Sequence, residues 1–143
     1  MLRRGDTFKE RTGWHTMVVL SDPSLNPDAV YVVNFSHWAR NRDQSCVLHP
    51  GDHGTISGPT IIYYNNTFLE SAEAIEAKIR AKKYVQTNPV RKDVLARILA
   101  GAAISRKIPR KCLELLYQQG LLPRPLPPLP PPPPPKVPDA KPD

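Results

Sequence analysis

The sequence lacks most of the devices by which a short chain declares its chemistry. It has two cysteines in 143 residues, Cys46 and Cys112, far apart and outside any metal-spaced cluster. Both fall in apolar runs and read as small buried residues, with no disulfide implied. There is no Gly-rich phosphate loop, no serine nucleophile elbow and no Cys-x-x-Cys, which removes the commonest nucleotide, hydrolase and redox signatures. No apolar run approaches the ~18 residues of a membrane span. No apolar stretch follows Met1–Asp6, so no signal peptide and no membrane partner are expected, and the expected compartment is the cytoplasm.

Proline is scarce until the end. Residues 121–143 hold 12 of the 18 prolines, and proline fixes φ and removes a donor. This segment is therefore expected to be a disordered polyproline tail. Arg124 followed by Pro125–Pro130 also fits the polyproline II form that SH3 grooves accept, although a solubilising spacer is the simpler reading. The remaining 120 or so residues suffice for one core, and 40% apolar content fits a folded domain.

Acidic charge is missing from one long stretch. Between Lys78 and Lys111 eleven basic residues surround a single acid, Asp93, so this segment carries +10 of a net +7 and the rest of the chain −3. Such a field favours polyanions, RNA first among them. Ordinary solvated helix faces are the bland alternative.

What is present reads as strands followed by helices. Trp14–Leu20, Val30–Phe35, Cys46–His49 and Thr60–Asn66 are β-branched, apolar runs separated by turn-forming segments, which predicts a small barrel or curled antiparallel sheet. Thr67 and Glu70 form a capping box that predicts a helix from Phe68 to about Lys82. Asn88-Pro89 predicts a second helix start, with an apolar stripe through Val90, Val94, Leu95, Ile98, Leu99 and Ala102. Pro109 opens a third helix that Gly120 ends. The order implies an α+β class.

The candidate chemistry sits at strand ends and in loops. His15, His37, His49 and His53 all fall there, where active sites collect, and two imidazoles can act as base and acid in one transfer. Asp52 either accepts local backbone N–H bonds or orients a neighbouring imidazole. A zinc site from His37, Cys46, His49, Asp52 and His53 is the rival use, but His49 and His53 span a Pro-Gly turn rather than a helix. The loop Ser36-His37-Trp38-Ala39-Arg40-Asn41-Arg42 interleaves an aromatic with two arginines, a mixture that suits stacking on unpaired bases and gripping phosphate.

Gly5-Asp6 leading to His15-Thr16-Met17-Val18-Val19-Leu20-Ser21, and Val30–Phe35 followed by Ser36, resemble the opening of the PemK/MazF-type toxin endoribonucleases over roughly residues 5–66. The resemblance implies an SH3-like antiparallel β-barrel over 1–66; the C-terminal helical segment of the same domain over 67–120 and the tail over 121–143, read from the residue pattern, exceed the usual family length. It further implies a homodimer that cuts single-stranded RNA without metal or other cofactor, and a cognate small antitoxin protein as partner. The family's catalytic arginine falls on His15 here, and imidazole differs from guanidinium in charge and fork geometry. The expected mechanism has His15 as base on a ribose 2′-OH, His53 or Arg40 supporting the leaving oxygen and phosphate charge, and Ser36 bonding a phosphate oxygen. His37, Trp38, Arg40, Arg42 and Asp52 are the expected RNA contacts. Two alternatives remain. One is a non-enzymatic nucleic-acid binder or regulator that uses Val90–Ala103 and Pro109–Gln119 as a helix-turn-helix. The other is an interaction module centred on the tail.

Overall fold

The structure is a computed structural model that describes residues 1–125 and 130–135. Most of the polyproline motif after Arg124 and the end of the tail lie outside the described residues, and with them the expectation of disorder there. Seven strands form one antiparallel sheet: β1 (Thr7–Glu10), β2 (Thr16–Val19), β3 (Val30–His37), β4 (Val47–Leu48), β5 (Thr60–Ile62), β6 (Phe68–Glu70) and β7 (Tyr84–Thr87). Among the described residues three α-helices accompany it: α1 (Ala72–Arg80), α2 (Lys92–Ile104) and α3 (Arg110–Gln118). The sheet order is β4-β5-β3-β2-β1-β7, with β6 also on β3. The class is α+β, and the sheet is not closed.

β3 organises the molecule. Its first half pairs with β6 (Val32 opposite Phe68) and its second half with β5 (Ser36 opposite Ile61), while β2 lies along its other edge. Successive side chains of β2 and β3 point to opposite faces, and both faces are covered. Val18, Tyr31, Val33 and Phe35 join the core that includes α2 and α3. Met17, Val19, Val30 and Val32 join a second core with Phe8, Ile75 of α1 and Tyr84. Double burial explains why both strands are almost continuously apolar rather than alternating. On the second face the Phe8 and Tyr84 rings stack at 4.7 Å.

The structure corrects three expectations. The box at Thr67 and Glu70 does not start a helix. Phe68–Glu70 pair with Val30–Val32, the Thr67 hydroxyl turns back to the Tyr64 carbonyl, and Glu70 receives Lys78. The ladder satisfies the backbone that a helix would otherwise occupy. α1 is capped instead by Ser71, whose Oγ accepts from Ala74 N–H at 3.1 Å. Asn88 is not a cap either. Its carbonyl accepts from Thr7 and His53, Val90 N–H bonds the Gly5 carbonyl, and this docking keeps the chain extended until Lys92. Nor does the sheet end at Asn66, because β6 and β7 extend it.

α2 lies close against the β4 side through Gly101. A Cβ there would collide with the Tyr64 hydroxyl, Cys46 Cβ and the Ser45 carbonyl. Tyr64 is fully buried and donates its hydroxyl to the Ile98 carbonyl at 2.6 Å. Cys46 and Cys112 are buried free thiols, pushed up to about 11 and about 12 by burial, so neither is a thiolate nucleophile.

A histidine and tryptophan cleft as candidate active site

The end of the sheet where β2, β3 and β5 meet carries an open cleft of about 320 Å³. Trp14, His15, Ser36, His37, Trp38 and Thr55 are among its lining residues. The β2–β3 register explains the gathering, since Met17 faces Asn34 and His15, just before β2, reaches the Phe35 carbonyl with its ring. The two indoles are exposed, Trp14 by 95% and Trp38 by 43%. Exposed apolar rings at one opening are what a binding surface offers.

His15 is exposed, but its ring is oriented. Nδ1 lies 3.0 Å from the Phe35 carbonyl oxygen. That oxygen only accepts, so Nδ1 carries the proton of the neutral ring and Nε2 is left as the basic nitrogen. His37, at the end of β3 opposite Thr60, is exposed at the same cleft. Ser36 is buried and accepts from Arg42 Nη1. The Arg42 guanidinium lies 5.2 Å over the Tyr63 ring, so the cation is held by a hydroxyl and a π face. Arg40 is exposed, and its side chain has no partner among the described residues.

Two expected site residues belong elsewhere. His53 is buried and not among the cleft's lining residues. Its Nε2 donates to the Asn88 carbonyl at 2.5 Å, and its Nδ1 accepts from Thr55. Both nitrogens are committed, so the ring cannot reach a leaving oxygen. Asp52 is taken by Arg97, at 2.9 and 3.3 Å, and by the His49 N–H at 2.8 Å. The Arg97 bonds, then the His49 N–H, hold its carboxyl below the usual range. With Arg91 on the Gly51 carbonyl at 2.7 Å, these contacts clamp the β4–β5 loop to residues 88–97. The clamp reaches the cleft indirectly, because Thr16 donates to the Thr55 hydroxyl at 3.0 Å. The zinc alternative loses its ligands for the same reason: His53 and Asp52 are committed and Cys46 is buried. Among the described residues no group of three His, Cys, Asp or Glu side chains could hold a metal ion.

Sequence reading missed Trp14, Thr16 and Thr55 as cleft residues. A tryptophan directly after a turn glycine was the available signal. The basic segment is only partly free. Lys78, Arg91 and Arg97 are paired with Glu70, Asp93 and Asp52, whereas Lys92, Arg106, Lys107, Arg110 and Lys111 are exposed. Among the described residues no helix is long and apolar enough to cross a membrane. No family model matches the chain, and no curated protein or solved structure matches it.

Proposed function

We propose that the protein is an endoribonuclease for single-stranded RNA that works through imidazole rather than metal. One observation carries this reading: His15, with Nε2 left free by its bond to the Phe35 carbonyl, shares an open, tryptophan-lipped cleft with His37. His15 Nε2 takes the proton of a ribose 2′-OH, and the 2′-oxygen bonds the adjacent phosphorus. The bond from phosphorus to the 5′-oxygen breaks, and the His37 imidazolium gives that oxygen its proton. The products are a 2′,3′-cyclic phosphate and a 5′-hydroxyl. The Ser36–Arg42 pair beside the cleft offsets the phosphate charge, and Trp14 and Trp38 stack bases.

The reading extends to a toxin held in check by a small antitoxin protein that covers the cleft, and to a homodimer. It treats the open sheet as a variant of the SH3-like barrel of the PemK/MazF-type toxins that residues 5–66 resemble. Growth arrest on induced expression and size-exclusion chromatography test these extensions. The central test is cleavage of end-labelled single-stranded RNA in chelator, with His15→Ala and His37→Ala beside the wild type. Undiminished cleavage by both variants removes the mechanism. The exposed cations on and beside α2 and α3 favour a second reading, a nucleic-acid-binding or regulatory protein without catalysis. Its sign would be strongly salt-dependent duplex binding that survives loss of both histidines.

A further inference from the structure

Trp14 stands near the tip of the β1–β2 hairpin and borders two clefts. The second, of about 240 Å³, lies on the β6 side and is lined by Glu10, Trp14, His15, Asn34, Asn66 and Phe68 among others. His15 therefore stands where the two meet. The floor differs from that of the first cleft. Its one acid, Glu10, packs against Gly13, where a Cβ would fall 2.9 Å from Glu10 Cβ and 3.4 Å from Oε2. A side chain at Gly13 would press on the Glu10 Cβ, so glycine lets the turn bring Glu10 to the cleft. Among the described residues neither the Glu10 carboxylate nor the Asn66 carboxamide has a side-chain partner. Asn34 is buried, with Nδ2 fixed on the Phe35 carbonyl at 3.1 Å.

A carboxylate only accepts hydrogen bonds, so a phosphate is the wrong occupant here. A planar group with two adjacent N–H donors and a neighbouring acceptor is the right one, and among RNA bases guanine alone offers that edge. We propose that the second cleft is a guanine subsite. The base stacks on Trp14, its N1–H and N2–H donate to Glu10, and Asn66 donates to O6. This rests on the single-stranded RNA reading above and gives it a sequence preference: cleavage beside guanine, with Trp14 between successive bases.

The test uses the full chain and uncleavable 2′-O-methyl hexauridine carrying one guanine, adenine or hypoxanthine, with binding read by fluorescence anisotropy. Guanine is expected to bind about tenfold tighter than adenine, the range of one bidentate base contact. Hypoxanthine, which lacks the exocyclic amine, is expected between them. In Glu10→Gln the guanine-to-adenine ratio is expected to fall to near one. A ratio that persists in Glu10→Gln overturns the subsite, as does a wild type that binds all three hexamers equally. A wild type that binds none of them removes the RNA reading itself. Glu10 is exposed, so an unchanged melting temperature certifies the fold of the variant.

Discussion

On the α2 face of the sheet, Tyr64 is fully buried with its hydroxyl on the Ile98 carbonyl, and Gly101 leaves no room for a methyl group. At the cleft end of the same strands, Trp14 is 95% exposed and His15 and His37 open to solvent. The first region has used its packing and hydrogen-bonding capacity on itself. The second keeps aromatic faces and ring nitrogens unspent. His53 and His15 state the contrast in one residue type: the former commits both nitrogens inside the fold, the latter only one. Free capacity, rather than residue type, separates the candidate site from its support.

Four measurements break or sharpen this contrast. The largest effect is expected from His15→Ala, which should lower RNA cleavage by about 10²–10⁴-fold without moving the melting temperature. A variant that unfolds instead would place His15 among the supports. Gly101→Ala should do the reverse, costing about 2–3 kcal/mol in chemical denaturation through overpacking while the folded fraction cleaves normally. Trp14→Ala should weaken single-stranded RNA binding by about 1–2 kcal/mol and leave denaturation midpoints unchanged. The smallest effect belongs to the clamp. Asp52→Asn should cost less than about 1 kcal/mol near neutral pH, since the pair is partly solvated. The folded-state carboxyl of Asp52 is lowered, so its contribution is complete above the unfolded value of about 4 and is lost on acidification. The gap between the melting temperatures of wild type and variant should therefore close as pH falls below about 4. A gap that is constant with pH would assign the effect to packing.

How much was legible follows the same division. β2, β3 and β5 were visible because buried β-branched runs are specified by their own residues. β1 (TFKE) and β7 (YVQT) were not, since their strand state comes from pairing with each other across most of the domain. The Thr67–Glu70 box was a genuine local signal overridden by the edge of β3. Around the site, Ser36, His37, Trp38 and Arg42 are readable as one contiguous stretch, although the structure puts the first two inside β3 rather than in a loop. The role of His53 depends on Asn88 and that of Asp52 on Arg97, partners no local window contains. Glu10 carries no local signal, because its place depends on a turn in which Gly13 N–H bonds the Glu10 carbonyl.

The pairing of Thr7 with Thr87 carries a consequence for biosynthesis. The hairpin bearing Trp14 and His15 leaves the ribosome early, yet its outer neighbour is among the later strands to be made. Contacts so distant in sequence form late and slowly. A nascent chain halted before Tyr84 thus holds nearly every candidate site residue in writing but lacks the strand that completes their scaffold. Competence should arrive abruptly, when β7 and the helices α2 and α3 that complete the core have emerged and can dock.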